Sequence, residues 1–352
     1  MRSVTVAVVN YEGAAHLGAT LPSVRALEGP VVERLLVDSG STDGSVERVR
    51  REFPEFRVIE LGANLGPSAA RNRALREAKA PLVLCLDNDV RPAPDCLVRL
   101  LAHVGEGVAA VAPRALLDAD PGRVHYDGAH FHYAGLLSLP GYYEEVSRLP
   151  ARPAREVDAA IALALLVDRE SVLEAGGFAE EYFILFEDQD LSYRLRARGR
   201  RIVSDPEAIV FHRGGTSGFS LRPGTAYSER RVFLHSRNRW LFVMRNYRPR
   251  TILVALPGLL LYEAVAAALA LSEGHFGAYL RGKREAIAGA RRARAARRAL
   301  ERGRVLPDRS LLRGGPLSVT PSVRAGRARS LLFRALEGSL ALWWRLARGL
   351  AA

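Results

Sequence analysis

Within the first hundred residues, short β-branched runs alternate with stretches of helical periodicity, and the runs end on polar residues. Residues 4–9, 34–37, 57–60 and 82–86 read as strands, while 17–27, 45–53 and 69–78 carry apolar positions at helical spacing. Alternation of this kind predicts an α/β fold, a mostly parallel central sheet flanked by helices. Sheets of that type take their ligands at the carboxyl ends of the strands. The rule singles out Asn10-Tyr11, Asp38-Ser39-Gly40 and Asp87-Asn88-Asp89, each of which closes a predicted strand.

Further along, the periodicity weakens. Residues 113–156 are rich in Gly, Pro, His and Tyr and read as irregular, with a mobile or ligand-facing loop. An apolar run at 159–167 precedes a short helix ending at Gly176-Gly177; 187–198 reads as a helix, 208–211 as a strand and 225–247 as a helix. Residues 252–271 are apolar except for Tyr262 and Glu263, just long enough to span a bilayer. A central Glu costs roughly 2.5–3.5 kcal/mol on insertion scales, so an interfacial helix is an equal expectation and a buried soluble helix a third.

Charge favours a membrane, and leaves open whether the segment spans it, lies in it or avoids it. The chain carries 51 Lys and Arg against 38 Asp and Glu, but residues 275–352 alone hold 18 against 4. The front of the chain is therefore close to neutral, which disfavours a nucleic-acid-binding core, and only the tail could bind nucleic acid. Basic residues from Arg281 to Arg298, following an apolar helix, point to an anionic membrane surface. The stretch 340–346 adds Trp343 and Trp344 in an amphipathic pattern, suited to an interface or to a partner helix. Two cysteines, Cys85 and Cys96, offer no disulfide framework, and the first residues hold too short an apolar run for a secretory signal. The expected place is the cytoplasm, at the inner face of the cell membrane.

Several clusters could carry chemistry. Asp87 and Asp89 flank Asn88 after a buried strand, where two carboxylates can share a hard divalent cation, although Asp-x-Asp is common in solvated loops. Asp38 could accept from the imide N–H of a pyrimidine, with Asp43 chiefly a helix cap. Arg71, early in a helix after the Gly66-Pro67 turn, could meet phosphate or could be an ordinary surface arginine. Glu187 and Asp188, beside the aromatic run 182–186, suit general-base work or merely a helix N-terminus. His212, at a strand end, is a structural residue or a third metal contact. Asn10-Tyr11-Glu12-Gly13-Ala14-Ala15 is not a Gly-x-Gly-x-x-Gly turn, which excludes a dinucleotide oxidoreductase.

Taken in order, Val8-Val9-Asn10-Tyr11, Asp38-Ser39-Gly40-Ser41-Thr42-Asp43-Gly44, Asn64-Leu65-Gly66 with Ala70-Arg71-Asn72, and Asp87-Asn88-Asp89 resemble the nucleotide-binding half of glycosyltransferase family 2. Gly176-Gly177-Phe178, Phe186-Glu187-Asp188-Gln189-Asp190-Leu191 with Arg194, and His212 resemble its acceptor half. Arg237-Asn238-Arg239 and Arg281-Gly282-Lys283 echo the bacterial rhamnosyltransferase-like members that build surface polysaccharides. The resemblance covers roughly residues 4–285.

The resemblance implies the GT-A fold, an inverting transfer and a need for Mg2+ or Mn2+. The donor, a dTDP-, UDP- or GDP-linked sugar with rhamnose a candidate, would lie against Val9, Asn10, Tyr11, Asp38, Gly66, Arg71, Asp87 and Asn88. Asp89, Asp87 and His212 would hold the metal; Asp188 would be the base, supported by Glu187. The acceptor would be a hydroxyl on a polysaccharide or lipid-linked glycan; the alternative is a non-catalytic nucleotide-sugar-binding scaffold at the membrane. Ile161-Ala162-Leu163 stands where relatives often have Ser-Gly-Ala, which leaves the sugar pocket's shape open. The expected division is a catalytic domain at 1–245 (halves 1–112 and 113–245), apolar and basic helices at 246–304, and a basic tail at 305–352.

Overall fold

The computed structural model describes residues 2–214, 228–318 and 326–352. Contacts divide the chain into two compact units: Met1–Gly128, Pro140–Leu195 and Arg200–Gly215 form the first, and Ala129–Leu139, Arg196–Gly199 and Thr216–Ala352 the second.

The first unit is built on a 10-stranded sheet. Strands β1 (Val4–Asn10), β2 (Val31–Asp38), β3 (Phe56–Glu60) and β4 (Leu82–Asp87) run parallel in the order β4-β1-β2-β3. They are joined by helices α1 (Ala14–Arg25), α2 (Ser45–Glu52) and α3 (Gly66–Glu77). All seven residues of β1 are buried, as a strand covered on both faces requires. The register pairs Asn10 with Asp38 and Val9 with Asp87, so three expected ligand-facing side chains leave the sheet at one edge.

Beyond β4 the sheet becomes mixed. The strand Ala164–Asp168 runs antiparallel between β4 and Val108–Leu117, and Arg201–His212 lies parallel to Val108–Leu117. Residues 113–156, expected to be irregular, hold the second half of Val108–Leu117, its antiparallel neighbour Asp120–Tyr126 and several shorter strands. Nearly all of Val108–Leu117 is buried, and Ala and Pro within it hide any period-2 pattern. The strand expected at 208–211 is the end of the 12-residue Arg201–His212.

The second unit is helical: Glu229–Asn246, Pro249–Ser272, Phe276–Glu301 and Arg327–Ala347, with a 3-stranded sheet of His130–His132, Leu136–Ser138 and Leu312–Arg313. Residues 225–227 of the expected 225–247 helix lie outside the described residues. Glu229–Asn246 packs on Phe276–Glu301 so closely that a Cβ at Gly282 would meet the Phe233 carbonyl oxygen at 2.5 Å. Both helices belong to the second unit.

At the centre of the unit, Glu263 answers the objection that its charge raised against an apolar helix. Its carboxylate accepts from Trp240 Nε1 and Lys283 Nζ, each at 2.5 Å, and also from Arg239 and the Tyr279 hydroxyl. Arg239 is 1% exposed and donates onward to the Ala134 carbonyl at 2.6 Å.

Candidate active site

The strand ends of the first unit are tied to one another by side chains. Asn10 Nδ2 donates to Asp38 Oδ1 at 2.7 Å and to Ser45 Oγ at 3.1 Å, while Asn88 Nδ2 donates to Asn10 Oδ1 at 2.8 Å. Asp38 is buried, and its carboxylate also accepts from the Gly40 and Ser41 amides at 2.9 Å and from Ser41 Oγ at 2.6 Å. Its oxygens thus order the 38–45 loop. Neighbouring Tyr11 is exposed and Val9 is buried. Asp43 caps more than its own helix: it accepts from the Ser45 amide at 3.1 Å and from Ala14, at the start of α1, at 2.7 Å. Burial would raise its pKa, and these hydrogen bonds hold it below the ordinary value instead.

Arg71 is a buried residue, so the surface-arginine alternative is excluded. Its guanidinium donates to Asp87 Oδ1 at 2.6 Å and to Glu187 Oε1 at 3.2 Å, and lies 5.5 Å from the Phe178 ring centre. Those carboxylates, against the desolvation that would lower it, keep the guanidinium firmly charged. The expected ends of the site, Asp87 and Glu187, are therefore joined by one side chain.

Two more expected motifs meet on α3. Asn72 accepts from the Phe178 amide and donates to the Phe178 carbonyl, both at 2.8 Å, and a Cβ at Gly177 would meet Asn72 Oδ1 at 2.6 Å. Gly66, with φ +83°, opens α3 against the backbone of Phe183, whose carbonyl oxygen an added Cβ would meet at 2.5 Å. The acidic helix Glu187–Ala197 follows three bulky residues in the left-handed region, Phe183 (φ 64°), Leu185 (φ 69°) and Phe186 (φ 77°). Such conformations cost on the order of 1 kcal/mol or more each, and they cluster where a side chain must be aimed.

The four acidic and amide residues that start this helix have separate fates. Asp190 is fully buried, accepting from Arg194 Nε at 2.7 Å and the Tyr182 hydroxyl at 3.1 Å, and is a brace. Glu187 is buried with Oε2 lacking any hydrogen-bond partner among the described residues. Burial, then the neighbouring charge of Asp188, push its pKa well up, with Arg71 only partly opposing. Asp188 is raised as well, by burial first, against Arg71 and the amides of Gln189 and Ala162. Ala162 belongs to the run that departs from the family pattern. Leu163 accepts from the Asp87 amide at 2.9 Å, which sets that run beside both acids.

Asp89 and His212 meet across an antiparallel pair, His212 opposite Val90, with Nε2 3.3 Å from Asp89 Oδ2. Asp87 lies close enough to feel the charges of both. Oxygen donors with one imidazole suit Mg2+ or Mn2+, and Glu187 Oε2, without a partner among the described residues, is left for a ligand or proton to meet. Among the described residues, no three His, Cys, Asp or Glu side chains stand grouped as ready ligands. The residue that sequence reasoning missed is His125, whose Nδ1 lies 2.9 Å from His212 Nδ1 with Tyr142 and Tyr143 around it. The His and Tyr richness of 113–156 was its signal.

A sheet whose parallel half ends in Asn10, Asp38 and Asp87, continued by mixed strands and flanked by helices, is the GT-A fold. Residues 3–148 match the family described as Glycosyl transferase family 2. It is 29% identical over 232 residues to N-acetylglucosaminyl-diphospho-decaprenol L-rhamnosyltransferase of Mycobacterium tuberculosis, covering 59% of this chain and 75% of that one. It is 30% identical over 219 residues to the pre-mycofactocin glycosyltransferase of the same organism, covering 60% and 43%. Among solved structures it resembles GalNAc-T7 with UDP, GalNAc and Mn2+ (TM-score 0.53, 16% identity, 71% of this chain and 51% of that one). It also resembles a mannosyltransferase from Pyrobaculum calidifontis with GDP-Man and Mn2+ (TM-score 0.50, 19% identity, 85% of each). At those identities the structures establish the fold.

Proposed function

We propose that the protein moves a sugar, with inversion, from a nucleoside-diphosphate donor to a hydroxyl of a lipid-linked glycan or polysaccharide at the inner face of the cell membrane. The observation that carries this reading is the acid surplus around Arg71: Asp87 answers its charge, leaving Glu187 buried and Asp188 half-buried, both with raised pKa values. A carboxylate made more basic by its surroundings suits removal of a hydroxyl proton. Rhamnose is the candidate sugar, since a relative named for rhamnosyl transfer to a diphospho-decaprenol aligns over 75% of its length.

In the proposed reaction Asp188 takes the acceptor O–H proton as that oxygen bonds to the anomeric carbon. The bond from that carbon to the diphosphate oxygen breaks, and the nucleoside diphosphate leaves with the electron pair. Glu187 and Arg71 hold Asp188 and Asp87 in place. Asn10, Asn88 and the Asp38-ordered loop shape the floor for the nucleoside, with Tyr11 free to cover the base. Asp87, Asp89 and His212 would hold Mg2+ or Mn2+, which when bound offsets charge on the departing diphosphate.

The test is calorimetry with dTDP-, UDP- and GDP-linked sugars in the presence of Mn2+, followed by transfer to polyprenyl-diphosphate-linked acceptors. One donor that binds and is consumed with transfer is the expected result. Binding without transfer to any such acceptor would instead favour a nucleotide-sugar-binding scaffold.

A further inference from the structure

The helix Pro249–Ser272 is long and apolar enough to cross a membrane, yet its neighbours within the second unit argue against crossing. Phe276–Glu301 lies beside it: Tyr279 and Lys283 reach Glu263 just past its middle, and Arg248, at its start, pairs with Glu301 at 2.9 Å. That returning helix has Arg281, Arg284, Arg291, Arg292, Arg294 and Arg298 exposed. A span of about 36 Å through the bilayer would carry much of this row into hydrocarbon, where each arginine is strongly disfavoured.

Most of the exposed residues of Pro249–Ser272 form one stripe instead. Leu253, Pro257, Leu260, Ala264, Ala268 and Leu271 recur every three or four positions with no charge among them, Leu261 lies beside them, and the exposed Arg250 stands in the helix's first turn. The leucines in the stripe are 53% to 70% exposed. Glu263 faces away, into its cluster of donors. Arg327–Ala347 repeats the pattern with Leu332, Leu342 and Leu346, exposed by 52% to 73%. Trp343 Nε1 donates to the Val254 carbonyl at 2.9 Å and fastens the two helices side by side. Two adjoining apolar stripes, flanked by arginines, match a lipid surface that is apolar below and anionic at its headgroups.

We propose that these two helices lie in the plane of an anionic phospholipid leaflet, their leucines immersed to the level of the upper acyl chains and the arginines among the headgroups, and that neither crosses the bilayer. The inference rests on the reading of the protein as one that works at a membrane, and it specifies how that membrane is met.

The experiment uses the full chain with spin labels on three variants, Leu253→Cys, Leu260→Cys and Leu271→Cys; the native Cys85 and Cys96 are buried and stay unlabelled. Vesicles are phosphatidylglycerol mixed with phosphatidylcholine. Flotation with equal, shallow label depths at all three positions is expected, and the triple variant Leu253→Glu, Leu260→Glu, Leu271→Glu should partition at least about 10-fold less. Unchanged donor binding and thermal denaturation would show that the triple variant folds; if it does not, the label depths decide alone. Flotation with Leu260 deep and its two neighbours shallow overturns the in-plane inference and leaves the membrane reading standing. No flotation in any vesicle ends both, and label–label coupling without lipid would give the face to a second copy. Undiminished flotation of a folded triple variant also overturns it.

Discussion

In the sheet unit a single guanidinium, Arg71, stands among Asp87, Glu187 and Asp188; in the helical unit two cations, Arg239 and Lys283, close on one carboxylate, Glu263. Both clusters are removed from water, and the balance of charge differs. Where acid exceeds base, Glu187 and Asp188 are raised and one carboxylate oxygen of Glu187 is left unanswered. Where donors exceed acceptors, Glu263 is pulled down to about 2 despite burial, and every oxygen has partners. A cluster short of counter-charge is poised for a ligand or a proton. A saturated one is a brace.

The largest effect should come from Asp188→Asn, which removes the proposed base and leaves the donor floor intact. Transfer should fall about 1,000-fold with donor affinity by calorimetry little changed, within the range of general-base contributions. Full transfer by this variant would remove Asp188 from its role. In the saturated cluster the effect should be on stability: Glu263→Gln leaves Arg239 and Lys283 facing each other and should cost about 3–5 kcal/mol in urea denaturation. An unaltered midpoint would show that the helical unit does not depend on this brace.

Gly66→Ala should cost about 1–3 kcal/mol, since φ +83° and the Phe183 carbonyl both oppose a Cβ. It should also slow transfer, because the displaced loop leads into Glu187; stability lost without any loss of rate would separate the loop from the site. Glu187→Gln should have the smallest effect and the opposite sign to Glu263→Gln. A raised folded pKa contributes stability that is complete below the ordinary glutamate value of 4.5 and lost as pH climbs through the folded one. Wild type should therefore weaken relative to the variant between about pH 5 and about pH 9, by about 1 kcal/mol or more. A difference independent of pH would mean that Glu187 titrates normally.

The two clusters also differ in how far the sequence disclosed them. Strands β1–β4 and their terminal Asn10, Asp38 and Asp87 were readable because each strand is a short β-branched run closed by a turn. The loop before Glu187 was not, since bulky Phe183, Leu185 and Phe186 adopt backbone angles that no pattern of residue types announces. The burial of Arg71 was equally hidden, because only folding brings Asp87 and Glu187, 100 positions apart, to one guanidinium. Residues 113–156 were misread as irregular because Val108–Leu117 is buried along nearly all its length rather than alternating, and His125 was lost with them. Asp38 was located, but its engagement by Asn10, Gly40 and Ser41 depends on loop geometry. Glu263 looked costly in an apolar helix until its partners, which follow and precede it in sequence, were assembled around it.

The most direct measurement is the titration of the side-chain carboxyl carbons by NMR in protein labelled at Asp and Glu. The account predicts carboxyl resonances that titrate well above the ordinary range and that change together in Glu187→Gln and Asp188→Asn, while Glu263 stays ionised into acid. If Glu187 and Asp188 instead titrate like exposed carboxyls and independently of each other, the acid surplus at Arg71 does not exist in solution and the proposed base loses its physical ground.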